Sequence, residues 1–122
     1  MLINTLKKQT SSEIGRTAES LAAKYLTDQG LQIIEQNYSA KTGEIDIIAL
    51  DNQVLVFIEV KFRKTARYGQ PYETVTHNKQ QKIIRTAQSY LLKHKKYTNY
   101  ACRFDIISIL NNEITWLSHA FE

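Results

Sequence analysis

Gly43-Glu44-Ile45-Asp46-Ile47-Ile48-Ala49-Leu50-Asp51-Asn52-Gln53-Val54-Leu55-Val56-Phe57-Ile58-Glu59-Val60-Lys61-Phe62-Arg63 is the stretch on which the fold turns. Two apolar runs flank Asp51-Asn52, a pair suited to a tight turn. The spacing therefore predicts strands over residues 44–50 and 54–63, joined as a hairpin. Side chains alternate across a strand. In the first run Glu44 and Asp46 share one face, Ile45 and Ile47 the other. In the second, Val56, Ile58, Val60 and Phe62 form a uniformly apolar face. The odd positions Phe57, Glu59, Lys61 and Arg63 pass from core to charge. A carboxylate and an ammonium placed directly after Phe57 are costly to bury without partners. Strand pairing brings Asp46 close to Glu59. Two neighbouring carboxylates repel unless a cation lies between them, and hard oxygen ligands favour Mg²⁺ or Mn²⁺. Lys61 stands beside that cation on the same side. The spacing equally accommodates a cross-strand ion pair of Asp46 with Lys61 on a solvated sheet face.

Outward from this hairpin the chain reads as alternating helices and strands. A helix is expected to begin near residues 10–12, where N-cap residues cluster and Glu13 follows Thr10 by three, as in a capping box. Ile14, Ala18, Leu21, Ala22, Tyr25 and Leu26 recur at helical spacing and mark its buried face, and Gly30 marks its end. Residues 31–38 form a short strand. Gly69 and Pro71 place 67–72 in a loop. A second helix runs over 77–93 with Ile83, Ile84, Ala87, Tyr90 and Leu91 inward. Strands follow over 101–110 and around 114–117, with a turn at Asn111-Asn112. The order α-β-β-β-α-β-β, with no repeat or linker, predicts an α/β domain: a mixed central sheet flanked by helices. Residues 1–11 are expected to be a flexible N-terminal arm and 12–122 a single domain.

Composition narrows the class. The chain has 122 residues, one proline, four glycines and 43% hydrophobic residues, which is enough for one self-sufficient core. A lone cysteine, Cys102, cannot form an intrachain bridge, and no apolar run is long enough for a membrane span. No apolar segment follows Lys7 and Lys8, so no secretory signal is read, and a cytoplasmic protein is expected. His77, His94 and His119 lack metal-ligand spacing, which argues against zinc. No P-loop, dinucleotide fingerprint or nucleophile elbow occurs.

Charge is unevenly distributed. Residues 61–103 hold eleven Lys and Arg against one acid, Glu73, whereas the rest of the chain is net acidic. Such a segment suits a polyanion such as nucleic acid, and suits a merely solvated face about as well. On the second helix Lys79, Lys82, Arg85, Ser89 and Lys93 fall in one polar sector, able to track a phosphate backbone. Arg63 shares Lys61's strand face. Arg67, Tyr68 and Tyr72 follow the charged strand in a Gly/Pro loop able to form a clamp, although the tyrosines read rather as packing or solvent residues.

Asp46, twelve intervening residues and then Glu59-Val60-Lys61 has the shape of the PD-(D/E)xK nuclease signature. More closely, the chain resembles the YraN family of small bacterial proteins with a restriction-endonuclease-like fold, similar to Holliday-junction resolvases. The resemblance rests on Gly15-Arg16-Thr17-Ala18-Glu19-Ser20-Leu21-Ala22, Gly43-Glu44-Ile45-Asp46-Ile47-Ile48-Ala49, Phe57-Ile58-Glu59-Val60-Lys61-Phe62-Arg63, Arg103-Phe104-Asp105-Ile106-Ile107 and His119-Ala120-Phe121. It covers nearly the whole chain from residue 12. Where the signature has proline before the aspartate, this chain has Ile45.

The resemblance implies a Mg²⁺- or Mn²⁺-dependent DNA endonuclease of recombination or repair, acting on branched or single-stranded DNA. Asp46, Glu59, the Val60 carbonyl and Glu19 from the first helix would hold metal, and Lys61 would orient the attacking water. On a helical wheel of about 100° per residue, Glu19 falls at the edge of the apolar face, where it can lean over the sheet. Arg63, Arg67, Lys79, Lys82, Arg85 and Lys93 would contact DNA. Asp105 is read as structural support or as an ion-pair partner of Arg103. Symmetric cutting of two strands would favour a homodimer. The alternative is a nucleic-acid-binding module of the same fold with little cleavage of its own, acting through a protein partner.

Overall fold

A computed structural model describes residues 10–63 and 75–121. The expected clamp of Arg67, Tyr68 and Tyr72 lies outside the described residues, as does most of the expected N-terminal arm. The elements are α1 (Ser11–Asp28), β1 (Gln32–Ala40), β2 (Gly43–Asp51), β3 (Val54–Arg63), α2 (His77–Lys93), a 3₁₀ turn (Lys95–Tyr97), β4 (Ala101–Leu110) and β5 (Glu113–Phe121). The 3₁₀ turn is an addition to the order expected from sequence.

Local chemistry sets the boundaries. Thr10 caps α1 through the expected capping box: its hydroxyl accepts from the Glu13 N–H, and Glu13 accepts from the Thr10 N–H. Gln29 is the C-cap, and Gly30 follows at φ 99°, a left-handed conformation that glycine adopts freely. Asn111 and Asn112 both take positive φ, 52° and 68°, as a two-residue type I′ turn requires, which closes β4 onto β5. That last strand is longer than the sequence reading of 114–117.

The five strands lie in the order β1-β2-β3-β4-β5. Only the β3–β4 pair is parallel, reached by the crossover through α2, and the other three pairs are antiparallel. The two helices pack on opposite faces of the sheet. On one side Ala18, Ala22, Ala23 and Leu26 of α1 cover Val56 and Ile58 of β3 and Ile107 and Ile109 of β4. On the other Ile83, Ala87 and Tyr90 of α2 cover Leu55, Phe57 and Ile106. The alternation expected of β3 is thus realised: its even positions face α1, its odd positions face α2.

Two expectations are corrected. Ile84 is only half-buried; Thr86 is buried in the α2 interface instead, its hydroxyl satisfied by the Lys82 carbonyl at 2.8 Å and by the Thr42 hydroxyl at 2.7 Å. Ile45 and Ile47 do not share a face: Ile45 lies in the α2-side cluster with Ile48, while Ile47 lies in the α1-side cluster. The alternation breaks at the residue between Ile45 and Ile47, which is Asp46.

Candidate functional site

The break at Asp46 builds the site. Paired positions between β2 and β3 run from Asp51–Val54 to Ile47–Ile58 and stop there. The next bond of the ladder is made by a side chain: Asp46 Oδ2 accepts from the Val60 N–H at 2.8 Å. Within a strand, a residue's N–H and C=O point to the same side. The Val60 carbonyl is therefore directed toward the same gap as Asp46.

Three carboxylates from three elements meet at this gap. Glu59 of β3 is 5% exposed and lies against Asp46. Glu19 of α1 comes over the sheet edge beside the side chains of Asp46 and Asn37, and its Oε1 is buried with no hydrogen-bond partner. Asn37 takes a positive φ of 58° on the neighbouring strand. Burial, followed by the negative charge of Glu59 and then of Glu19, pushes the Asp46 carboxyl up to about 8 from its ordinary value near 3.8. Burial likewise raises Glu19. The cluster thus holds on to a proton at neutral pH.

Two ammonium groups face these acids. Lys79 of α2 places Nζ 2.7 Å from Glu59 Oε2, and Lys61 reaches the same oxygen at 3.7 Å. The ion pair of Asp46 with Lys61 that spacing allowed is replaced by this Glu59-centred arrangement. Burial, then the nearby charge of Lys79, lowers the Lys61 pKa. For Lys79, burial alone would act the same way, but the hydrogen bond to Glu59 and the Glu59 charge outweigh it and raise the pKa.

A cleft of about 370 Å³ opens over the cluster between the β1–β2 hairpin and α2, lined by Gly43, Glu44, Asp46, Glu59, Lys79, Lys82 and Ile83. One wall is acidic and the other basic. The hairpin is held to α2 by the Thr42–Thr86 hydrogen bond, and Gly43, at φ 144°, sits against Thr86 and Lys82. Of the sequence candidates, Glu19, Asp46, Glu59, Val60, Lys61, Lys79 and Lys82 come together here. Arg63 continues the Lys61 face of β3 and is half-buried, while Arg85 and Lys93 are exposed farther along α2. Arg67 is outside the described residues. Among the described residues no group of three His, Cys, Asp or Glu side chains already stands as a cation cage. Glu59 is engaged by Lys79 and Asp46 by the Val60 amide.

Two residues escaped the sequence reading as site members. Glu44 shares the cleft with Asp46, two residues on, and period-2 alternation was the signal that could have found it. Ser108 of β4 pairs in register with Lys61, is 1% exposed, and its hydroxyl has no hydrogen-bond partner. A parallel pairing between distant strands leaves no local signal in the sequence.

The raised Asp46 pKa makes a stability prediction for the cation-free protein. A carboxyl whose folded pKa exceeds its unfolded value contributes fully below the unfolded pKa, and that contribution is lost as pH rises through the folded one. Asp46→Asn, which cannot ionise, should therefore gain on the wild type between about pH 4 and pH 8, by about 1–3 kcal/mol. Urea unfolding in EDTA at the two ends of that window measures it. Parallel stabilities of the two proteins across the window would refute the assignment.

The comparisons with known proteins agree on one family. The model of the family described as "Uncharacterised protein family UPF0102" matches residues 18–109. A UPF0102 protein of Francisella tularensis subsp. tularensis (strain WY96-3418) is 47% identical over 110 residues, covering 89% of this chain and 94% of its own length. That of Saccharophagus degradans is 44% identical over 110 residues, covering 90% and 93%. That of Coxiella burnetii is 44% identical over 113 residues, covering 92% and 94%.

Proposed function

The chain belongs to the UPF0102 family, the YraN family of the sequence resemblance, and from its carboxylate cluster we propose that it is a metal-dependent DNA endonuclease with a restriction-endonuclease-like fold. The observation that carries this reading is the meeting of Glu19, Asp46 and Glu59 at the point where β2 leaves β3, with Lys61 on the same carboxylate. The donors are all oxygens, which suits Mg²⁺ or Mn²⁺. Glu19 Oε1 is buried without a partner and Asp46 retains a proton, so the two ammonium groups, both on Glu59, leave the other two carboxyls without a counter-charge. Asp46, Glu59, Glu19 and the Val60 carbonyl would hold the cation. When bound, it would lower the pKa of a water and neutralise charge on the phosphoryl oxygens.

The chain's own residues supply the rest. Lys61, half-buried and aimed into the cluster, orients the attacking water and stabilises the negative charge that builds on the phosphate. Lys79 and Lys82 line the cleft and receive the phosphate backbone, and Arg63, Arg85 and Lys93 extend that basic path. The engagement of Glu59 by Lys79, which takes up a carboxylate oxygen that a cation would need, favours a second reading: a nucleic-acid-binding module that cleaves little without a partner.

Cleavage distinguishes the two. Linear, single-stranded, flap and four-way-junction DNA are incubated with purified protein in Mg²⁺, Mn²⁺ or EDTA. Metal-dependent cutting, strongest on a branched or single-stranded substrate, is the expected result. Binding without cutting in either metal would overturn the nuclease and leave the binding module.

A further inference from the structure

Glu59 already carries a cation, and it comes from a different element. Lys79 Nζ stands 2.7 Å from Glu59 Oε2, a short, charge-assisted contact. The carboxylate is almost wholly buried, yet the lysine side chain is 45% exposed and borders the cleft beside Lys82. Lys79 therefore faces two environments, a buried anion inward and the open cleft outward. Its backbone is fixed, because the Thr76 hydroxyl accepts from the Lys79 N–H at 3.2 Å, so only the flexible four-carbon stem has to move. A second ammonium, Lys61, already crowds the same oxygen at 3.7 Å. A third positive group reaching for Glu59 Oε2 meets both ammonium groups there, and takes up that oxygen most readily when one of them leaves. Lys79 is the one with an open path.

We propose that Lys79 is an internal counter-ion that couples the binding of a divalent cation to the binding of a phosphate backbone. Without ligands it neutralises Glu59. A phosphate entering the cleft draws the ammonium outward, which frees Glu59 Oε2 for the cation. By linkage, whatever factor the backbone adds to cation affinity, the cation adds to backbone affinity. The device keeps the carboxylates closed to cations until a nucleic acid is present. It rests on the cation-binding reading of the cluster and adds to it a means of regulation.

The test reads cation affinity rather than cleavage. Mn²⁺ is titrated calorimetrically into the full chain, alone and with a saturating phosphorothioate oligonucleotide that resists cutting. The wild type is compared with Lys79→Met, Lys79→Arg and Lys82→Met. Lys79→Met should bind Mn²⁺ alone about tenfold more tightly, and the oligonucleotide's enhancement of Mn²⁺ affinity, about fivefold or more in the wild type, should largely vanish. Lys79→Arg, which keeps the charge, should stay close to the wild type, and Lys82→Met should weaken oligonucleotide binding while preserving the coupling. Unchanged or weaker Mn²⁺ binding by Lys79→Met, with a wild type that binds, overturns the proposal alone. No Mn²⁺ binding by either protein, with or without the oligonucleotide, overturns the cation reading of the cluster together with it.

Discussion

Asp46→Ala should abolish metal-dependent cleavage, with a loss of at least about 10³-fold, while Lys61→Ala should lose about 10²–10³-fold and still bind Mn²⁺. The two substitutions remove different things. Asp46 is a prospective oxygen ligand and also the acceptor that ends the β2–β3 ladder at the Val60 N–H. Its removal takes away the charge a cation needs and leaves that amide without its partner. Lys61 stands on Glu59 and faces where the water would be held. Its removal should cost turnover far more than cation affinity. Single-turnover cleavage and Mn²⁺ titration, run on the same preparations, separate the two effects. Equal cleavage by Lys61→Ala and wild type would remove Lys61 from the chemistry.

Asp105→Ala should cost the fold about 3–5 kcal/mol, a large share of the stability of a domain this size. Asp105 is fully buried and gathers donors from two strands. Arg103 Nε lies 3.1 Å from each of its oxygens, Trp116 Nε1 donates at 2.9 Å and the His119 N–H at 3.1 Å. The register between β4 and β5 shifts between Phe104 and Ile106, and His119 takes a φ of 56° on the bulged side. The carboxylate thus fills the place of a ladder partner at the bulge. Arg103 retains Asp51 at 3.0 Å in its absence, but the Trp116 and His119 donors lose their acceptor. Asp105→Asn, which keeps an acceptor, should cost markedly less than Asp105→Ala. Urea midpoints measure both, and a loss under about 1 kcal/mol for Asp105→Ala would show that the bulge holds without its carboxylate.

Much of this architecture was legible beforehand, and the reasons differ by element. The β2–β3 hairpin and the two-faced character of β3 follow from alternation and the Asp51-Asn52 turn, both local signals. Arg103 with Asp105 was recognisable as a pair at i and i+2 on one strand face. The break at Asp46 was not, because alternation presumes a regular strand and nothing nearby in sequence reports a side chain substituting for a backbone acceptor. The polar sector of α2 marks Lys79 as a phosphate contact, but its bond to Glu59 joins the crossover helix to a strand of the sheet. That contact exists only in three dimensions. Ser108 beside Lys61 was hidden for the same reason.

The single parallel pair in the sheet has a kinetic consequence. The β1–β2–β3 meander and the β4–β5 hairpin can each zip up from adjacent chain, but Val54 meets Ala101 only after α2 and its connections have closed a long loop. Joining the two halves is therefore the slow event in folding. Lys79 sits on α2, within the loop that closes, so its contact with Glu59 forms only once α2 docks on the sheet. A newly made chain that has formed its β1–β2–β3 meander carries Asp46 and Glu59 in place before Lys79 arrives to neutralise Glu59.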